Sequence, residues 1–434
     1  MVAIDLLTRV ADSDSYINLL LPSFLTRANV PDSDRGLIQE LSYGSLRWQL
    51  QYDSFIDHFT TGKVLSAKLR IVLRVGMHQL FRMRIPAHAA IHETVELVKT
   101  FEKSAAGLAN AVLRNADLAG FEKLLDDCCE GKRTEEMLAI RYSHPTWVIA
   151  ALKSALELDG KKDQLEALLE ANNETPTVNL AALPNTKAAE YLVGEGLQPG
   201  SAAPTAFLAT GNPEPYLTVP GVRVQDQGSQ LVALALLAVA DKSGRWLDMC
   251  AGPGGKAAML QAGIALDGGV LDCLEPISNR ADLVRYALNP KLPGTVKVGY
   301  GQDAKKNTYD AVLLDAPCTG LGSVRRKPES RWRKTTEQLS GLTKLQGELL
   351  DAAGHALKTG GYLLYSTCSP LVLETNNQIK QVLDNHPELE LVNTNEVLNR
   401  ISPQLQMGTD RKTAQLWTHL HATDAMFIAI LRKK

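Results

Sequence analysis

The stretch that most constrains this chain is Trp246-Leu247-Asp248-Met249-Cys250-Ala251-Gly252-Pro253-Gly254-Gly255-Lys256. Trp246 to Met249 read as a short buried strand that runs into a glycine-rich turn. From Lys256 to about Ile264 the good helix formers Ala257, Ala258, Met259 and Leu260 predict a helix. Glycines at such a turn let the backbone approach a ligand closely, and the helix behind it offers unpaired N–H groups. A nucleotide-like cofactor suits that geometry. Two familiar phosphate loops are excluded. A P-loop needs Ser or Thr after its Lys, where this chain has Ala257, and a Gly where it has Cys250. The dinucleotide spacing G-x-G-x-x-G is not met either. A bare glycine turn can also be only a tight turn, so its meaning depends on what stands downstream.

From Val224 onward, strands alternate with helices, which predicts a parallel sheet covered on both faces. Strands are expected at Arg245–Met249, Gly269–Leu274, Thr295–Gly299, Ala311–Leu314 and Tyr362–Ser366, closed by a late pair near Leu389–Val392 and Ala425–Leu431. In such sheets ligands sit beyond the carboxyl ends of the strands. The second strand ends at Glu275, 20 residues past Gly255, a distance at which an acid can hold ribose hydroxyls. The third leads to Asp303, which can accept from an adenine amino group or simply cap the helix that would follow. The fourth ends Asp315-Ala316-Pro317-Cys318-Thr319-Gly320 and the fifth ends Ser366-Thr367-Cys368-Ser369-Pro370.

Either cysteine alone reads as a small buried hydrophobe. Two of them at neighbouring strand ends beside a cofactor loop point to chemistry. A thiolate is a soft nucleophile suited to carbon 6 of a pyrimidine, and its addition makes carbon 5 able to attack an electrophilic methyl. A second group must then remove the proton on carbon 5. Ordinary thiols are mostly protonated at neutral pH, so nearby positive charge would help.

Between the cysteines, residues 323–334 carry six basic residues against one acid. Arg325, Arg326, Lys327, Arg331 and Arg333 with Trp332 among them fit phosphate contacts plus base stacking; the plainer reading is a solvated loop. The net charge of the whole chain is only −2, so any nucleic-acid surface must be a local patch of this kind.

The front of the chain differs. Residues 1–140 read as all-helical, with apolar residues at helical spacing from Leu65 to Met83. Residues 141–225 read as a helical connector followed by a small α/β subdomain, with strand character at Thr177–Leu183 and Thr205–Ala209 and a helix between them. Residues 226–434 hold the catalytic domain. His88 and His92 stand one helical turn apart, but no third ligand is evident and no C-x-x-C pair occurs, so no metal is expected. Asp5, Arg9 and Asp12 interrupt the first apolar run, and Leu231–Ala240 is too short to span a bilayer. A cytoplasmic protein with free thiols is the expectation, away from membranes, and a monomer by default.

Several strings carry a resemblance. Leu41-Ser42-Tyr43-Gly44-Ser45-Leu46-Arg47, Leu73-Arg74-Val75-Gly76-Met77-His78-Gln79-Leu80, Pro86–Glu93 and Asn110-Ala111-Val112-Leu113-Arg114 resemble the NusB-type RNA-binding domain. Cys250–Lys256, Asp315–Gly320 and Thr367–Pro370 resemble the RNA 5-methylcytosine methyltransferases of the RsmB (Sun/Fmu) branch. That resemblance implies a Rossmann-like class I methyltransferase domain with an RRM-like insert before it. It implies S-adenosylmethionine held by Cys250, Ala251, Gly252, Pro253, Gly254, Gly255 and Lys256, with Glu275, Asp303 and Asp315 as further contacts. It implies Cys368 as the nucleophile and Cys318 as the residue that assists proton removal and release. The substrate it implies is 16S rRNA, free or partly assembled. DNA enzymes of this chemistry attack instead with the cysteine of the Pro-Cys motif, and the Thr-Cys motif at Cys368 places the chain on the RNA side. Glu275 stands where many relatives carry Asp, and Asp424-Ala425-Met426-Phe427 replaces a string richer in glycine and phenylalanine. Two competing readings stay open at this point: a non-catalytic RNA-binding assembly or antitermination factor, and a methyltransferase of another RNA or of DNA.

Overall fold

The computed structural model describes residues 1–13 and 15–434. The chain forms two compact units. The first comprises Met1–Glu174 together with Val324–Arg333, and the second comprises Thr175–Ser323 together with Lys334–Lys434. The helical unit therefore runs past the expected boundary at 140 and takes in ten residues from the middle of the basic segment.

In the helical unit, the helix Ala67–Arg82 shows how the sequence sets the packing. Ser66 caps it by accepting from the Leu69 N–H. Leu69, Val72, Leu73, Val75 and Met77 are buried, the helical periodicity read from the sequence. Its polar exception is His78, whose Nδ1 lies 2.9 Å from the Tyr52 hydroxyl and whose Nε2 lies 3.1 Å from Glu40 Oε1. Burial holds the His78 pKa below its ordinary value, so the ring is a neutral packing element. Helices continue beyond 140 as Thr146–Leu158 and Leu165–Ala171.

The second unit carries two sheets. The smaller one holds β1 (Val178–Ala182), β2 (Gln198–Pro199), β3 (Ala206–Ala209) and β4 (Val222–Val224), in the order β2-β3-β1-β4 and antiparallel throughout. Ala188–Gly194 is the helix between its first two strands. The larger sheet holds β5 (Arg245–Asp248), β6 (Val270–Glu275), β7 (Gly294–Val298), β8 (Tyr309–Asp315), β9 (Leu357–Thr367), β10 (Leu389–Leu391), β11 (Ala414–Gln415) and β12 (Phe427–Lys433). Its order is β10-β12-β9-β8-β5-β6-β7, with β11 paired to β12. Strands β5 to β9 are parallel, and β12 runs antiparallel to β9. The expected strands all exist within a few residues; β9 extends further toward its start than the sequence signal did.

The order has a functional consequence. From β5 the chain winds outward through β6 and β7, then returns to the other side of β5 with β8 and β9. The crevice between β5 and β8 is the switch point, where open α/β sheets bind ligands. Asp248 pairs in register with Leu313, and Asp315 with Ser366, so the carboxyl ends of β5, β8 and β9 lie along one edge. Trp246, Leu247, Leu313, Leu314 and Leu364 are fully buried beneath that edge and fix it. Among the described residues, no helix is long and apolar enough to cross a membrane.

Candidate active site

The glycine turn leaves β5 at Asp248 and enters the helix Gly255–Ile264. Glu275, at the end of β6, shapes it. Glu275 Oε2 accepts from Gly252 N at 3.1 Å, and Oε1 accepts from Ile277 N at 3.1 Å. Arg280 donates to Gly252 O at 2.7 Å. A Cβ on Gly252 would overlap the Glu275 carboxylate, so only glycine allows this approach. Gly254 adopts φ +103°, a conformation that side-chain-bearing residues rarely reach. Glu275 is 2% exposed, so it is not the solvated surface acid of the plainer reading.

Asp303 lies at the carboxyl end of β7 in the short turn Gly301–Asp303. Its Oδ2 accepts from Tyr300 N at 3.3 Å, and its side chain is exposed. No helix follows Asp303, so the N-cap weighed for it is absent; Asp303 instead ends the turn and bonds back to the Tyr300 N–H at its start. Cys250 packs among Leu247, Met249 and Leu314, and burial first, then the neighbouring carboxylates, push its thiol pKa far up. Its thiol is therefore protonated at neutral pH.

Lys256 reaches across the crevice and donates to Asp315 Oδ2 at 2.8 Å. Ser366, on β9, donates to Asp315 Oδ1 at 2.9 Å. Burial opposes the Lys256 charge, but Asp315, Cys368 and Asp248 outweigh it and hold its pKa above the ordinary value. The Lys256 ammonium is therefore within electrostatic reach of the Cys368 sulfur. Cys318 and Cys368, 50 residues apart in sequence, place their Sγ atoms 3.4 Å apart. Contact with Cys368, then burial, holds the Cys318 pKa well above the ordinary thiol range. Cys318 is accordingly a thiol at neutral pH.

Sequence reading passed over Asp248. It is the last residue of β5 and 1% exposed, and its Oδ1 has no hydrogen-bond partner. Burial, then the Asp315 charge, raises its pKa to about 7. A signal existed: a carboxylate inside an otherwise apolar strand just before the glycine turn demands a partner. The orphaned oxygen, the close-fitting Gly252 and the first turn of the Gly255–Ile264 helix form a cradle for a ligand carrying positive charge and hydroxyl groups. S-adenosylmethionine has both, and Asp248, Glu275 and the Gly252–Lys256 backbone would hold it.

The basic segment departs from expectation. Arg331 is fully buried; it donates to Ser143 O at 3.0 Å, Asn173 Oδ1 at 2.8 Å and Asn172 O at 3.0 Å. Trp332 Nε1 donates to Leu46 O at 2.8 Å. Arg333 donates to the carbonyls of Val10, Ser13 and Ser15 at 2.7–2.9 Å. Arg325 is buried, and Lys327 lies over the Tyr16 ring at 5.2 Å. The segment is built into the helical unit and is not an open RNA-binding loop. Charge counting alone could not separate the two, because it does not say whether a guanidinium faces phosphate or carbonyl.

Two family models match the chain: residues 234–432 match "16S rRNA methyltransferase RsmB/F", and residues 1–117 match the NusB family. A Mycobacterium tuberculosis protein assigned as a methyltransferase is 37% identical over 99% of this chain and 95% of that one. The ribosomal RNA small subunit methyltransferase B of Pseudomonas syringae pv. tomato is 34% identical over 88% of this chain and 86% of that one. Among solved structures, PH0851 superposes with a TM-score of 0.75 at 21% identity, covering 99% of this chain and 97% of that one, a likeness of fold.

Proposed function

Because the chain belongs to the RsmB/F family of S-adenosylmethionine-dependent rRNA methyltransferases, we propose that it methylates carbon 5 of a cytosine in 16S rRNA through a covalent cysteine adduct. The observation that carries this reading is the pair of thiols 3.4 Å apart, flanked by Lys256 and Asp315 at the cofactor turn. When bound, the cofactor supplies an electrophilic methyl group.

The chain's own residues do the rest. Lys256 places positive charge near Cys368 and favours its thiolate. Cys368 adds to carbon 6, and carbon 5 gains the electron density to take the methyl group. The Lys256–Asp315 ion pair is also suited to steadying charge on the ring. Once Cys368 is bonded to carbon 6, the contact that chiefly holds the Cys318 pKa up is gone. Cys318 gives its proton to solvent and, as thiolate, takes the proton from carbon 5; the carbon 5–carbon 6 double bond re-forms, and Cys368 leaves as thiolate. The base must be flipped or unpaired to enter, at a cost of a few kcal/mol. Free or partly assembled 16S rRNA offers that most readily. Asp303 and Glu275 are the proposed adenine and ribose contacts. Arg326 and Lys327, half-buried, are the members of the basic segment left as candidates for RNA.

Incubation with tritium-labelled S-adenosylmethionine and undermethylated 16S rRNA tests this. Label is expected in 5-methylcytosine by mass mapping, abolished by Cys368→Ala. Cys318→Ala should accumulate an RNA–protein adduct on a denaturing gel. Methyl groups on another atom, or normal labelling by Cys368→Ala, would overturn the assignment.

A further inference from the structure

Behind the two thiols lies a carboxylate that the reaction described above does not use. Glu374, in the short turn Val372–Glu374, is fully buried. Its Oε1 accepts from Thr319 N at 2.8 Å and from Gln346 Nε2 at 3.0 Å. Its Oε2 accepts from Thr319 Oγ1 at 2.5 Å. Gln346 Nε2 also donates to Pro317 O at 2.8 Å. The residues on both sides of Cys318 are thus tied to one carboxylate, Thr319 directly and Pro317 through Gln346.

The other thiol is reached as well. Thr319 Oγ1 lies 3.2 Å from the hydroxyl of Ser369, the residue after Cys368. The Glu374 carbonyl accepts from the Tyr365 hydroxyl at 2.8 Å, and Tyr365 lies on β9, which ends one residue before Cys368. Burying an acid is costly unless its oxygens are met by donors. Three donors meet this one, two from Thr319 and one from Gln346.

We propose that Glu374 is a positioning residue of the methyl transfer: by clamping Thr319 and, through Gln346, Pro317, it holds Cys318 beside Cys368 for removal of the carbon 5 proton. This rests on the thiol roles proposed above. It predicts a division of labour. Attack by Cys368 does not need the carboxylate, because Cys368 directly follows β9 and the bond to that strand comes from the Glu374 carbonyl, which the side-chain changes below keep. Release does need it, because a displaced Cys318 cannot reach the proton.

Glu374→Gln keeps the volume but puts an N–H₂ where Thr319 Oγ1 now donates. Thr319→Val removes that donor while leaving the backbone bond. For both, kcat should fall by at least about tenfold, the scale of a misplaced general base. KM for RNA and for cofactor should stay near wild type. A covalent adduct with ordinary cytosine RNA should accumulate, as for Cys318→Ala. RNA containing 5-fluorocytosine, from which no proton can be removed, should trap wild type and both variants alike. Wild-type kcat in the variants, or loss of the 5-fluorocytosine adduct in them alone, would overturn the proposal. A purely structural role would lower thermal stability and leave kcat per folded molecule and adduct level unchanged.

If wild type itself forms no 5-fluorocytosine adduct, the thiol mechanism is what fails, and the clamp is read without RNA. Diamide takes two hydrogens from the paired thiols, leaving a disulfide and the corresponding hydrazine. Wild type should close the Cys318–Cys368 bond several-fold faster than Glu374→Gln; equal rates would refute the clamp.

Discussion

Replacing Asp248 with Asn should stabilise the sheet-bearing unit and weaken its cofactor site. The carboxyl is buried, with one oxygen unpartnered, and titrates at about 7 against an ordinary 3.8. Below pH 3.8 it is protonated whether the chain is folded or not, and it costs nothing. Between those values the unfolded chain loses the proton while the folded chain keeps it, so stability falls as pH rises. Above pH 7 the folded chain carries the buried charge, and the loss levels off at up to about 4 kcal/mol. The folded pKa is raised, so the contribution is full below pH 3.8 and gone above pH 7. Asn has the same shape and no charge. Denaturant unfolding at pH 8 should therefore show the Asp248→Asn unit more stable by an amount approaching that figure, and the gain should vanish at pH 4. S-adenosylmethionine measured by calorimetry at pH 8 should bind roughly 10- to 100-fold more weakly, the value of a charge-assisted hydrogen bond. Opposite signs in the two measurements are the signature. A variant that is destabilised at pH 8, or binds the cofactor as tightly as wild type, would refute the reasoning.

Arg331→Met should destabilise the helical unit by about 3 kcal/mol, since it leaves the Ser143 and Asn172 carbonyls and the Asn173 amide without a donor; the unfolding transition followed by circular dichroism checks this. Gly252→Ala should break the Gly252–Glu275 hydrogen bond and sharply reduce cofactor binding in calorimetry, while the mass-mapped methylation site stays the same at saturating cofactor. Lys256→Met should slow 5-fluorocytosine adduct formation by about 100-fold at pH 7, and the deficit should shrink toward pH 9 as the Cys368 thiol ionises without help, while wild type keeps the Lys256 charge across that range because its pKa lies above the ordinary value.

The catalytic crevice was legible because its signals are local. Pro317 and Pro370 stop strands, glycines mark the turn after β5, and the chemistry-bearing side chains follow directly on apolar runs. Topology then brings those strand ends together, and the winding rules for parallel sheets are general enough to anticipate it. Asp248 and Glu374 were less legible for a different reason. Each matters through what it meets in space, and the donors to Glu374 come from Thr319 and Gln346, 55 and 28 residues away. A single acid in a sequence does not disclose that it is buried.

The basic segment shows the same limit from the opposite side, and its burial has a physical logic. The carbonyls that receive its donors are not scattered. Val10 and Ser13 close the helix Val2–Asp12, Leu46 lies in the last turn of Asp32–Arg47, Ser143 follows Thr134–Tyr142, and Asn172 follows Leu165–Ala171. The last carbonyls of a helix lack partners within it and carry the negative end of its dipole. Arg331, Trp332 and Arg333 supply the missing donors to four such ends. Two of the three also bring positive charge to where the helices concentrate partial negative charge. Burial without a carboxylate lowers the Arg331 pKa to about 9, still high enough to keep the guanidinium charged at neutral pH. A cluster of cations that resembles an RNA contact in one dimension is therefore equally suited to closing a bundle of helix ends. Only the positions of those ends, fixed by helices as much as 323 residues earlier in the chain, decide which role it takes.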